Sequence, residues 1–135
     1  MKYFLALLLT LASLQGQSID LQEEYSVALQ KAKSEDKPLM IYLYMLNCYP
    51  CRYMNEKVLT DKRVIDYLAE NYIVVKLYTN DKGLPKELRA EMSPVFHFLN
   101  SQNSDMLESV AGGRDADRFL RLLKNTYADY KEETQ

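Results

Sequence analysis

The sequence predicts a layered α/β domain on a mixed sheet, and three observations carry that expectation. Helical and strand patterns alternate through most of the chain, the first strands are unbroken apolar runs, and the last two strands lie close enough for a hairpin. Strands separated by helices pair in parallel through crossover connections. Unbroken apolar runs suit strands covered on both faces, and a closing hairpin adds an antiparallel edge. With 135 residues there is room for one domain and one core of ordinary size.

Ser18 or Asp20 caps a first helix running to about Ser34. Leu21, Tyr25, Ala28, Leu29 and Ala32 recur at helical spacing, and Glu23, Glu24, Gln30 and Lys33 face out. Pro38 stops it, because the residue before a proline avoids helical geometry. Leu39 to Leu46 is a continuous apolar run read as a strand. Asn47 introduces Cys48-Tyr49-Pro50-Cys51, and Pro50 suits the first turn of a helix that continues from Arg52 to about Leu59. Asp61 caps a further helix with Val64, Ile65, Leu68 and Ala69 turned inward, and Tyr72 to Tyr78 is the second strong strand. Asn80 to Gly83 is a turn cluster, and Leu84 to Glu91 reads as a short helix. Val95 to Leu99 follows Pro94 as a third strand, with Met106 to Ala111 behind it. Gly112-Gly113 breaks the chain. Asp115 or Asp117 then opens a last helix through Phe119, Leu120, Leu122, Leu123 and Tyr127, and the polar end, Lys131 to Gln135, is expected to fray.

Hydrophobic residues at 47% and charged residues at 27% are the composition of a folded globular chain. A net charge of −2 leaves no basic footprint, which argues against nucleic acid as a partner. Residues 1–16 differ from the rest. Lys2 precedes an apolar run from Tyr3 to Leu14 that is short for a membrane span and sits where a secretory signal peptide sits. The division expected is therefore 1–16 as signal and 17–135 as a single domain, exported or periplasmic. The alternative reading of the same run is an uncleaved membrane anchor.

The chain has two cysteines, three positions apart. A bridge that closes so small a loop removes little unfolded-state entropy, so chemistry explains the pair better than stapling. Two such thiols alternate between dithiol and disulfide: one attacks a partner disulfide and the other resolves the mixed disulfide. Cys48, at a strand-to-helix junction where unpaired N–H groups favour a thiolate, is the expected nucleophile, and Cys51, one turn in, the resolving cysteine. Arg52 adds positive potential or is simply solvated. Zinc would need two further ligands, and the only histidine, His97, falls inside a strand where a satisfied histidine is the default. Arg52 after the pair excludes the C-x-x-C-H heme signature. Neither a cofactor nor a metal is expected.

The residues Lys37-Pro38-Leu39-Met40-Ile41-Tyr42-Leu43-Tyr44, Cys48-Tyr49-Pro50-Cys51-Arg52-Tyr53-Met54, Val74-Val75-Lys76-Leu77, Met92-Ser93-Pro94-Val95-Phe96-His97-Phe98 and Gly112-Gly113 resemble the thioredoxin superfamily, in particular its small periplasmic members. The resemblance spans about residues 20 to 127. It implies a thioredoxin fold, a central mixed sheet of about four strands flanked by helices on both faces. It also implies that Ser93–Pro94 is cis and sets the Ser93 backbone beside Cys48, where a substrate chain adds as a strand. Without the resemblance, Pro94 reads as a trans proline opening an edge strand. Tyr49, Pro50, Ser93 and Pro94 are thus the expected substrate contacts.

Three positions depart from the family. Tyr42 stands where a buried acid usually assists proton transfer to the resolving cysteine, and a phenol is a poor base near neutral pH, so water or Lys76 would substitute. Asn47 replaces the usual tryptophan, with Tyr44 and Tyr49 as alternative aromatic surface, and Val95 replaces a threonine. The methionines, Met40, Met45, Met54 and Met92 among them, read as core filler.

The expected activity is thiol–disulfide exchange on exported protein dithiols and disulfides by a monomer, with a membrane protein as electron donor. Positions 77 to 93, 17 residues between Lys76 and Pro94, leave no space for the helical insertion of larger oxidants, which favours the reductive direction. An oxidising periplasm argues for an oxidant instead. A binding or chaperone module with an inert disulfide is the reading that Tyr42 favours.

Overall fold

A computed structural model describes residues 16–135. The apolar run from Tyr3 to Leu14, and with it the expected signal peptide or anchor, lies outside the described residues. A five-stranded mixed sheet forms the centre, in the order β1-β3-β2-β4-β5. The strands are β1 (Leu21–Gln22), β2 (Leu39–Tyr44), β3 (Ile73–Tyr78), β4 (Val95–Leu99) and β5 (Met106–Ala111). β1 and β2 run parallel to β3, β2 and β4 are antiparallel, and β4 and β5 form the hairpin. The helices are α1 (Tyr25–Glu35), α2 (Tyr49–Tyr53), α3 (Lys62–Asn71) and α4 (Ala116–Glu133).

Strand periodicity divides the core in two, since successive side chains point to opposite faces. Leu39, Ile41 and Leu43 of β2 join Ile73, Val75, Leu77 and the α1 residues Ala28 and Ala32 on one side. Met40 and Tyr42 join Val74, Phe96, Phe98, Val64, Leu68 and Phe119 on the other, beneath α2, α3 and α4. Met40 and Met54 are core filler, as their flexible thioethers suit.

Five local expectations need correction. The sheet has a fifth strand because Leu21–Gln22 pairs with Val74 and Val75, and α1 starts only at Tyr25, with Glu24 extended and making no side-chain cap. A stretch that carries helical periodicity adds backbone bonds to the free edge of β3 instead, and Leu21 stays exposed. β2 ends at Tyr44, and Leu46 is exposed in the turn before the cysteines. Leu84 to Glu91 holds a single 3₁₀ turn, Lys86–Leu88, because Pro85 before it and Arg89 after it both take extended backbone (ψ 141° and 154°). Met92 is exposed, next to Ser93. α4 extends to Glu133, into the end expected to fray, and its last turns are held by buried Tyr130, whose hydroxyl donates to Asp36 Oδ1 at 2.6 Å.

Candidate active site

Cys48 and Cys51 are joined as a disulfide at the start of α2. Asn47, before them, takes a left-handed conformation (φ 54°) that asparagine tolerates better than bulky residues do. This conformation turns the chain from β2 so that Cys48 becomes the N-cap of α2 and Pro50 falls in its first turn. Cys48 Sγ accepts the backbone N–H of Cys51 at 3.2 Å. Cys48 is half-buried and Cys51 only 4% exposed. α2 does not stop at Tyr53 but widens into a π-helical turn, Met54–Val58, closed by Leu59 N–H donating to the Met54 carbonyl at 2.8 Å.

Sheet register brings two further segments to the end where β2 finishes. Val95 pairs with Leu43 on one side and Ala111 on the other, so Ser93–Pro94 and Gly112–Gly113 emerge at the same end as the cysteines. The Ser93–Pro94 peptide is cis, Pro94 is buried, and its carbonyl accepts the Gly112 N–H at 2.8 Å. Gly112 has φ 87°, which needs a residue without Cβ. A Cβ on Gly113 would lie 3.6 Å from Pro50 Cβ, so this turn rests against the motif. Tyr49 is 73% exposed, and the Arg52 guanidinium sits 5.7 Å from its ring centroid.

Tyr42 lies beneath the motif. Its hydroxyl shares its one proton between the Cys51 carbonyl at 3.2 Å and Asn55 Oδ1 at 3.1 Å, and burial pushes its pKa up to about 12. The phenol therefore stays protonated and acts as a donor that anchors α2 to the sheet. Lys76, its partner in the register of β2 and β3, projects over the rings of Tyr42 and Tyr44, with Nζ 5.3 Å and 4.9 Å from their centroids. Lys76 Nζ also reaches Asn55 Oδ1 at 3.5 Å, and burial holds its pKa below the usual lysine value. Lys76, Asn55, Cys48 and Cys51 line one cavity of about 380 Å3.

Sequence reasoning missed Asn55. Its signal was spacing: it lies one turn after Cys51, on the same helical face. Among the described residues no group of three or more His, Cys, Asp or Glu is placed to hold a metal. His97, away from this site, is 8% exposed, with ring nitrogens 2.8 Å from Ser109 Oγ and 2.9 Å from the Leu88 carbonyl.

A helix-capped cysteine pair on a thioredoxin fold defines a thiol–disulfide oxidoreductase, and the comparisons agree. The family described as thioredoxin-like matches residues 20–101, and the chain belongs to it. A thioredoxin from Thermus thermophilus is 25% identical with a TM-score of 0.71, the match covering 80% of this chain and 86% of that one. A candidate disulphide isomerase from Bacteroides thetaiotaomicron is 27% identical, with a TM-score of 0.69 over 83% and 95% of the two chains. The C-terminal domain of DsbD from Neisseria meningitidis, 22% identical with a TM-score of 0.61 over 75% and 91%, shares the fold. No curated protein sequence matches the chain. Thioredoxin-like proteins use the cysteine pair itself as redox centre and need no cofactor.

Proposed function

We propose that the protein reduces disulfides of exported polypeptides, with Cys48 as nucleophile and Cys51 as resolving cysteine. The observation that carries this reading is the capped geometry: Cys48 Sγ accepts the Cys51 N–H in the first turn of α2, while Cys51 is covered. In the dithiol form that donor and the positive end of the helix favour a Cys48 thiolate. That thiolate attacks a substrate disulfide, forming a Cys48–substrate bond and expelling one substrate thiolate. Cys51 gives up its proton, attacks Cys48 Sγ and releases the second substrate thiolate. The protein loses two electrons, the substrate gains them, and two protons complete the two substrate thiols. Tyr49, Pro50, Ser93 and Pro94 form the surface along which the substrate chain lies, Ser93 offering backbone groups for strand addition.

Two features support direction and place. The connection between β3 and β4 holds one 3₁₀ turn in place of a helical insertion, which resembles the reductive relatives. The apolar run from Tyr3 to Leu14 supports export, and outside the cytoplasm a membrane protein would be the electron donor. Equilibration with glutathione measures the direction. A reduction potential toward the thioredoxin value of about −270 mV is expected, whereas one near the DsbA value of about −120 mV overturns the reductive reading. Insulin reduction by the wild type, abolished in Cys48→Ser, tests the exchange itself; absence of any insulin reduction would favour an inert binding module.

A further inference from the structure

The two faces of the motif helix line different cavities. Cys48, Cys51 and Asn55 face the one that holds Lys76. Tyr49, Pro50 and Tyr53 face the other, a groove of about 380 Å3 whose far wall is Gly113, Arg114 and Arg118. Arg118 has a partner. Asp115, the N-cap of α4, takes the Arg118 N–H on Oδ1 at 2.8 Å and lies 3.5 Å from Arg118 Nε through Oδ2. Arg114 has none. Its backbone N–H donates to Met54 Sδ at 3.3 Å, which fixes its root against α2. Its guanidinium enters no ion pair among the described residues, and its Nη1 is buried without an acceptor.

Charge on this face runs against the rest of the molecule. The chain carries −2 overall, yet the two cavities hold Arg52, Lys76, Arg114 and Arg118 against Glu56 and Asp115 alone. A planar guanidinium matches a carboxylate with two parallel bonds, and tyrosine rings beside it pack the stem of the side chain that carries one. The groove starts at Tyr49, the residue next to the expected nucleophile, so a chain attached at Cys48 reaches it within a few residues.

We propose that this groove is a subsite for an acidic side chain of the substrate polypeptide, read by Arg114. The proposal rests on the exchange chemistry assigned above and names its substrate class: cysteine-bearing segments with Asp or Glu a few residues from the reacting sulfur. Arg114 lines the groove and has no carboxylate partner among the described residues, so a substrate carboxylate pairs with the part of its guanidinium that the groove reaches, Nη1 itself being enclosed, while Asp115 remains committed to the α4 cap and to Arg118.

Short peptides test it, each with one cysteine held as a mixed disulfide with thionitrobenzoate and flanked by Glu, Gln or Lys. The reduced protein breaks that disulfide, thionitrobenzoate leaves as the coloured thiolate, and Cys51 then frees the peptide thiol as the Cys48–Cys51 disulfide forms. The second-order rate for the Glu peptide is expected to exceed that for the Gln peptide by about tenfold at low salt, with the gap closing as salt rises. The Lys peptide is expected to be slowest. In Arg114→Gln the Glu/Gln ratio falls toward one, and in Arg114→Lys part of it survives because the charge stays and the fork is lost. Each ratio is taken on one protein, so a loss of stability cannot imitate the effect. Equal rates for Glu and Gln peptides in the wild type, or an unchanged ratio in Arg114→Gln, overturn the subsite and leave exchange standing. Failure of the wild type to react with any peptide overturns both.

Discussion

Tyr42 occupies the place of a buried acid, and its geometry assigns it a different task. A hydroxyl with a pKa near 12 that donates to the Cys51 carbonyl and to Asn55 tethers the motif helix rather than taking its protons. Tyr42→Phe is expected to cost about 1 kcal/mol in denaturant unfolding. Insulin reduction should stay within about tenfold of wild type; a loss of about 100-fold or more would make the phenol a proton carrier after all. His97 shows the second residue-scale effect. A carbonyl only accepts, so Nε2 donates to Leu88, and in the neutral ring Nδ1 accepts the Ser109 hydroxyl. Burial lowers its pKa, so the unfolded chain takes up the proton first, near pH 6.5, and the folded chain only at lower pH. Between those values the unfolded state binds more protons, and stability therefore falls as pH drops below about 6.5. Urea midpoints measured on either side of about pH 6.5 should show that slope in wild type and a flatter one in His97→Gln; equal slopes refute the assignment.

At the scale of elements, helix ends carry most of the design. Asp61 caps α3 by accepting the Arg63 N–H at 2.9 Å, and Arg63 crosses to Asp117 of α4 at 2.8 Å, joining two neighbouring helices. The far end of α4 is held by Tyr130, whose hydroxyl donates to Asp36 at the C-cap of α1 and lies 3.3 Å from Ser101 Oγ. Tyr130→Phe is expected to cost about 1 kcal/mol and to open the last turn of α4 to hydrogen exchange before the rest of the helix. Protection unchanged along α4 would show that packing alone holds it. The widened turn from Met54 to Val58 extends α2 without a break, so the helix that Cys48 caps is longer than the motif and anchored by buried Met54 and Val58.

At the scale of the molecule, the sheet is sandwiched between two apolar layers, and the layer under the motif is aromatic. Tyr42 stacks on Phe96 with centroids 4.8 Å apart, and Phe96 meets Phe119 of α4 at 5.0 Å. The same layer thus supports both the motif helix and the helix that follows the glycine turn. Phe119→Ala should remove about 3–5 kcal/mol, a large part of the roughly 5–15 kcal/mol by which domains are stable. Thermal and urea unfolding measure it, and a cost under about 1 kcal/mol would mean that the layer collapses around the gap.

Local pattern alone determined much of this protein. The apolar run of β2, the inward stripe of α3, the β4–β5 hairpin and the placement of the cysteines at a helix start all follow from periodicity, breakers and caps within a few residues. What only the tertiary structure decided depends on contacts between distant residues. β1 exists because the edge of β3 is free to pair, α4 continues because Tyr130 finds Asp36 94 positions away, and Met92 is exposed because its turn meets no core. The same holds at the cysteines. Their spacing and capped position are legible in sequence, and the family resemblance sets Ser93 beside Cys48, but local pattern does not supply the register that brings Ser93–Pro94 and Gly112–Gly113 to their end of the sheet. Nor is Arg114 beside them, which has no ion-pair partner among the described residues, legible there, since an ion pair, or the lack of one, is a property of neighbours that folding alone supplies.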